Sequence, residues 1–482
     1  MRVMTVKCGS KRIWYFAVVH LFLANFGSLR AQQENDINIL LLQPMSTANF
    51  LKAEDAEVTS QSWLVVWDKI LTELDYRYDI ALDNSIGLEL QNYDLVILPD
   101  ALCLGEAILT ELKTYMKQGG ACLSTWGTGC RFLDGEWRGF DFLEKYLGSA
   151  PEVSDFSAGV PMAVLLRHGF PGTSGVPPGY YLRVTPERTP FYLKGKTKGD
   201  IAGYLSESKY NNTSPDKLLL QPGFVTRTLR GRGRFAWFGT SLAQLHTDAD
   251  NWKQTLIFFG DLLSWLVGKG TMTIDPWPNG YNSAVMIHGD IEKEFANVVN
   301  VARLFKSLDV PVTYNIVTDA GSRNTDILRI LTNTGGEIAF NGDTYDTFKD
   351  QSQKTQVARM EKSIRFISLH APKPMGFRPP ENLYDDNTIN SAKKLDLSYI
   401  NAFNISDRCY PSLDKPTSEL DANENLVFFP KSELDDYDLT ERLFISDDDM
   451  ISNYMFDDFG RIYDLKGLYK LTFHSDNFAR QE

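Results

Sequence analysis

Residues 283–292 read Ser283-Ala284-Val285-Met286-Ile287-His288-Gly289-Asp290-Ile291-Glu292, an apolar run that turns polar and acidic at its end. Ser283–Ile287 reads as a strand. Downstream, Phe295, Val298, Ala302, Phe305 and Leu308 recur at helical spacing across Glu294–Leu308. Val312–Val317 is the next strand, and strand–helix units repeat towards the end of the chain. This alternation predicts an irregular (β/α) barrel over residues 281–482, whose chemistry gathers where its strands end.

Working back from that stretch, Asp275-Pro276-Trp277-Pro278-Asn279-Gly280 reads as a stiff linker. Residues 151–270 are β-rich: Met162–Leu166, Tyr180–Val184 and Phe191–Lys194 are short runs separated by Pro and Gly. Gly231-Arg232-Gly233-Arg234 leads into Phe235–Gly239 as a turn, since no helix follows to make it a phosphate loop. The apolar helix Trp252–Val267 is expected to pack back on the first domain.

Residues 36–150 alternate strand and helix: Ile37–Leu42, a helix around Trp63–Leu74, Tyr93–Pro99, a helix near Glu106–Met116, and Ala121–Thr125 after Gly119-Gly120. Continuous apolar strands of this kind suit a parallel, doubly wound α/β sheet. Tyr93–Pro99, its helix and the Gly119-Gly120 strand start resemble the non-catalytic form of the class I glutamine-amidotransferase-like fold. Cys122 lies inside a strand rather than in a Gly-x-Cys-x-Gly elbow, so it reads as a core cysteine.

The first 31 residues stand apart. Arg2, Lys7, Lys11 and Arg12 precede the apolar run Ile13–Phe26, and Gly27-Ser28-Leu29-Arg30-Ala31 supplies small residues before a cut. This is the pattern of a secretory signal peptide, and it predicts a secreted or periplasmic protein with no membrane span after cleavage. Removing residues 1–31 takes five of the 49 basic and none of the 62 acidic residues, moving the net charge from −13 to −18. An acidic chain without Lys/Arg clusters argues against nucleic acid as a partner and leaves a polysaccharide or cell-envelope glycan open. Cys103, Cys122, Cys130 and Cys409 remain. Either a Cys122–Cys130 or a Cys103–Cys130 bridge is compatible with export, and no C-x-x-C offers a thiolate zinc site. Asn211-Asn212-Thr213 and Asn404-Ile405-Ser406 are formal glycosylation sequons.

Four segments in order carry a second resemblance. They are Ala284–Glu292; Gly335-Gly336-Glu337-Ile338-Ala339-Phe340-Asn341-Gly342-Asp343-Thr344-Tyr345-Asp346; Gly376-Phe377-Arg378-Pro379-Pro380-Glu381-Asn382 with Tyr384; and Leu471-Thr472-Phe473-His474. Together they resemble the polysaccharide deacetylase (NodB-homology, carbohydrate esterase family four) domain. The resemblance implies a hydrolase acting on the C–N bond of N-acetylated glycans. In that family an Asp/His/His-bound, zinc-like metal activates water and polarises the carbonyl, a second aspartate is the base and a histidine the acid.

The resemblance makes Asp290, Arg378, Glu381 and His474 catalytic candidates, and Asn341, Tyr345 and Tyr384 substrate-binding candidates. It makes Asp290, with His288 as a substitute, the metal-ligand candidates. Arg378 would orient the base carboxylate, and Asp407 would tune His474. The two metal histidines map to Asn341 and Tyr345, which are poor ligands. Without a gap, Asp290 takes the metal position and Gly289 the base position; shifted by two, Asp290 becomes the base and Glu292 the ligand.

Three readings follow: a hydrolase with an atypical metal site, a non-catalytic glycan- or partner-binding protein on the same fold, and a glycoside hydrolase pairing Asp290 with the Asp435–Asp438 cluster. That cluster also reads as calcium-type oxygen ligands or as solvated loop charge, and Asp447-Asp448-Asp449 is a second acidic cluster.

Overall fold

The computed structural model describes residues 37–52, 61–85, 88–207, 220–247, 249–270, 275–402, 409–413, 426–431 and 434–480. The signal-peptide segment, both sequons and Asp407 lie outside the described residues.

Apolar runs in the first 125 residues become β1 (Ile39–Gln43), β2 (Tyr78–Leu82), β3 (Leu95–Leu98) and β4 (Ala121–Thr125). The chain then adds β5 (Glu152–Val153), β6 (Met162–Leu166), β7 (Tyr181–Val184), β8 (Phe191–Tyr192), β9 (Asp200–Glu207), β10 (Gln221–Thr228) and β11 (Arg234–Phe238). Nine of these form one sheet in the order β2-β1-β3-β4-β11-β10-β9-β6-β7, with β5 and β8 pairing separately. Pairing is parallel from β2 to β11 and antiparallel from β11 to β7.

Strand alternation explains why the early runs are apolar throughout. Ile39, Leu41, Leu95 and Ile97 enter one core, while Leu40, Leu42, Val96 and Leu98 enter the core on the opposite face. The β-rich stretch is therefore not a separate cap: β11 joins β4, and the expected boundary at residue 150 falls within a single sheet. The helix Ala249–Leu266 lies on the first of these cores, where Phe259 meets Trp67 edge-on at 5.5 Å. Cys103, Cys122, Cys130 and Cys409 are all buried as thiols, and neither the Cys122–Cys130 nor the Cys103–Cys130 bridge is formed.

The C-terminal sheet comprises β12 (Ala284–Ile291), β13 (Thr313–Ile316), β14 (Glu337–Phe340), β15 (Gly376–Phe377), β16 (Tyr399–Ile400), β17 (Ser412–Leu413), β18 (Val427–Phe428) and β19 (Leu468–His474). Its order is β17-β18-β16-β15-β14-β13-β12-β19. Among the described residues it stays an open, curled β/α half-barrel, with β17 and β19 at its edges. All its pairings are parallel except β17 with β18. The first helix begins later than its periodicity suggests: Phe295–Asn297 is a 3-10 turn, the helix runs Val298–Ser307, and Leu308 is exposed.

The 3-10 segment Ser475–Arg480 follows β19. It is tied back by Asn297 Nδ2 donating to Ser475 O at 3.1 Å. The start of β19 is braced from the other side by the first sheet. Arg167 Nη2 meets Asp464 Oδ1 at 2.5 Å, Tyr204 donates to Asp464 Oδ2 at 2.8 Å, and Trp277 Nε1 donates to Lys466 O at 2.7 Å. A shared apolar cluster of Ala163, Leu165 and Tyr181 with Cys409, Ile462, Leu465 and Tyr469 lies beside these contacts. Among the described residues no helix is long and apolar enough to cross a membrane.

Gly289 shows how tightly β12 and β19 fit. A Cβ placed there would lie 2.5 Å from two atoms of the Phe473 ring. Gly289→Ala should therefore cost about 1–3 kcal/mol through overpacking, read as a lower thermal unfolding midpoint. An unchanged midpoint would mean that Phe473 can move aside.

Candidate functional site

Register builds the site before any side chain is considered. Asp290 on β12 pairs with His474 on β19 and with Asn315 on β13, so three polar side chains meet on one face at the strand ends. Two strands further on, Phe340 pairs with Phe377, and Asn341 and Arg378 follow them. The phenylalanines enter the apolar core; alternation then turns Asn341 and Arg378 into the mouth.

Asp290 is 2% exposed. One of its oxygens accepts Asn315 Nδ2 at 2.9 Å, and the other accepts Arg378 Nε at 2.5 Å. Burial, the largest single influence, would raise its pKa, but Arg378, His288 and His474 together outweigh burial and hold the carboxyl well below the usual carboxylate range. Burial likewise works against the Arg378 charge, and Asp290 overcomes it. Removing one partner of such a pair costs about 3–5 kcal/mol, because the other is left buried and unpaired.

His288 lies one pleat deeper. Its Nδ1 faces Asn315 Nδ2 at 3.1 Å and its Nε2 faces Thr472 Oγ1 at 2.8 Å. Burial pushes its pKa down to about 3. The 3.6 Å approach to Asp290 is therefore a contact with a neutral ring and not an ion pair.

His474 sits between two carboxylates. Its Nδ1 is 2.6 Å from Asp436 Oδ1, and its Nε2 is 3.6 Å from Asp290 Oδ2. Asp436 Oδ2 also accepts the His474 backbone N–H at 2.8 Å and Asn477 Nδ2 at 2.9 Å. Burial opposes the charged ring, but the Asp436 bond and the Asp290 charge prevail and raise its pKa to about 9.

Asp436 was not identified as the partner of His474 from the sequence; Asp407 was named instead. The available signal was position, since the Asp435–Asp438 cluster follows the strand at Val427–Phe428. The rest of that cluster is committed elsewhere: Lys431 Nζ lies 2.5 Å from both Asp435 Oδ2 and Asp438 Oδ2, and Arg442 Nη1 lies 2.6 Å from Asp438 Oδ1. Asp447 Oδ1 caps the helix Asp448–Asp464 by accepting Met450 N at 2.8 Å.

The other candidates scatter. Tyr345 is 42% exposed, and burial, then the neighbouring Glu292 charge, raises its pKa. Burial, then the Asp290 charge, raises the Glu292 pKa. Tyr384 packs its ring 5.4 Å from Phe428 in the core wall. Glu381 is exposed on the turn after Arg378, with φ 57°, and among the described residues no hydrogen bond ties it to the Asp290 cluster. Asn341 is 2% exposed, and its Oδ1 has no partner.

These residues do not fit the metal that the resemblance implies. Both oxygens of Asp290 and both nitrogens of His288 already have partners, and Asn341 and Tyr345 hold the two histidine positions. Arg378 binds Asp290 through Nε at 2.5 Å. Gly289, the base position of the gap-free alignment, is packed under Phe473. Asp435, Asp436 and His474 do offer ligand atoms within 4.8 Å of one another. An ion there would have to displace Lys431 from Asp435 and the proton between His474 and Asp436.

Residues 288–400 match the family model described as polysaccharide deacetylase, and the C-terminal domain is of this NodB type. A search of curated proteins gave no match. Among solved structures, a probable polysaccharide deacetylase from Pseudomonas aeruginosa PAO1 is 17% identical with TM-score 0.38, covering 45% of this chain and 86% of its own. PuuE allantoinase is 17% identical with TM-score 0.38, covering 44% and 85%. A β-galactosidase from Rahnella sp. R3 is 15% identical with TM-score 0.37, covering 50% of this chain and 33% of its own.

The raised pKa of His474 has a definite sign. Its charge stabilises the fold fully below the unfolded value of about 6.5, and that contribution is lost as pH climbs through about 9. In Asp436→Asn the ring should titrate at least about one unit lower, followed by imidazole NMR shifts. An unmoved titration would remove Asp436 as the cause.

Proposed function

With a deacetylase-type domain as the premise, we propose that this chain is an exported hydrolase that cleaves the C–N bond of N-acetylated glycans without the family's metal triad. The observation that carries this reading is His474 held between Asp436 and Asp290, with Arg378 on the far side of Asp290. Export rests on the basic, apolar and small-residue pattern of residues 1–31.

Amide hydrolysis needs a placed water, a stabilised oxyanion and a proton for the leaving nitrogen. His474, kept charged by Asp436, supplies the proton. Arg378 and the His474 cation face the negative charge that develops on the carbonyl oxygen. Asp290 is a weak base because Arg378 stabilises its ionised form; its part is to hold both cations in place and orient the water. Glu292, one residue past the end of β12, takes the water's proton. The C–N bond then breaks to acetate and a free amine. No divalent metal enters these steps.

A second reading has its own support. Asn341 and Tyr345 are sugar-gripping residues where catalytic ligands would be, which suits a protein that binds glycan without cutting it. Acetate release from chitotetraose in excess chelator separates the two. The hydrolase reading expects release that falls at least about a hundredfold in His474→Ala. Binding without release would favour the second reading, and neither binding nor release would contradict both.

A further inference from the structure

Buried polar atoms in folded proteins almost always have partners, so those without one call for an explanation such as a water, an ion or a ligand. Among the described residues, Asn315 Oδ1, Asn341 Oδ1 and Arg378 Nη1, at the strand ends of the C-terminal sheet, are buried and lack partners. Two of these stand on neighbouring strand ends. Arg378 N donates to Phe340 O at 2.9 Å and Asn341 N to Ile316 O at 2.8 Å, which fixes both residues one step beyond the Phe340–Phe377 pair. Asn341 is 2% and Arg378 4% exposed, so neither side chain can turn to solvent.

The two orphans differ in kind. Asn341 Oδ1 accepts only, and Arg378 Nη1 donates only. The Arg378 charge is already met by Asp290 through Nε, so the free nitrogen calls for a neutral acceptor rather than a second anion. A secondary amide provides what both lack: a carbonyl oxygen for Arg378 and an N–H for Asn341. An ester provides the oxygen alone and leaves Asn341 Oδ1 unpaired against an ether-type oxygen, so two acceptors face each other.

We propose that Asn341 and Arg378 together read a secondary amide, and that Asn341 makes the site select N-acyl over O-acyl sugars. The proposal rests on the C–N hydrolase reading and names the residue that sets its substrate class. In the resemblance Asn341 occupies a metal-histidine position; here its role is to accept the scissile amide's N–H. Sites built to hydrogen-bond a polar group discriminate strongly against analogues lacking it.

The test is titration calorimetry of the full chain with two matched ligands. One is chitotetraose; the other is a cellotetraose O-acetylated at every 2-position, in which each acetamido nitrogen is replaced by oxygen. The wild type should bind the amide ligand at least about tenfold more tightly, the order of one buried hydrogen bond. Asn341→Leu should lose that factor for the amide ligand and leave the ester ligand unchanged. Equal affinity of the wild type for both ligands overturns the proposal, even if chitotetraose is hydrolysed and the broader reading stands. An equal loss for both ligands in the variant also overturns it. Binding of neither ligand to the wild type removes this proposal and the hydrolase reading together. If Asn341→Leu does not fold, the wild-type ratio still decides.

Discussion

The Asp290–Arg378 ion pair is the constraint around which the C-terminal site is organised. Its members are 88 positions apart in sequence and meet at 2.5 Å in the interior. Taking two charges from water is costly, and their attraction offsets that cost only when the geometry is good and the remaining lone pairs are satisfied. Asn315 meets the second oxygen of Asp290, His474 approaches the first, and His288 is left neutral beneath them. Engaged in this way, the Asp290 carboxylate is held by Arg378 and Asn315 rather than left open to a cation.

The first sheet contributes at a distance. β19 carries His474 at one end, and at the other end it emerges from Asp464 and Lys466, both gripped by Arg167, Tyr204 and Trp277. A strand at the edge of an open sheet has only one neighbour to define its position. Contacts at its origin and the tie from Asn297 to Ser475 at its exit supply what a closed barrel would provide by pairing. The front half of the chain thus bears on the strand that carries His474.

Much of the architecture was legible because burial on both faces leaves a plain mark. Ile37–Leu42 and Tyr93–Pro99 read as parallel strands since each alternate residue has its own core. Asp290, Arg378 and His474 were legible through the resemblance of their segments to the deacetylase motifs. Asp436 was hidden among look-alike acids, whose roles are sorted only by Lys431 and Arg442 reaching them in three dimensions. The continuity of the two front regions was hidden as well, because β11 joins β4 across more than a hundred intervening residues. Gly289 looked like a vacated base position; the Phe473 ring beside it shows a packing requirement that no local pattern announces.

Metal content tests most directly whether Arg378 has taken over from a cation. The purified chain would be equilibrated with zinc, freed of excess, and assayed by mass spectrometry. An Asp290 carboxylate already held by Arg378 and Asn315 predicts well under one zinc per chain, with no change in Asp290→Ala. About one zinc per chain, lost in Asp290→Ala, would contradict it and return the site to metal chemistry.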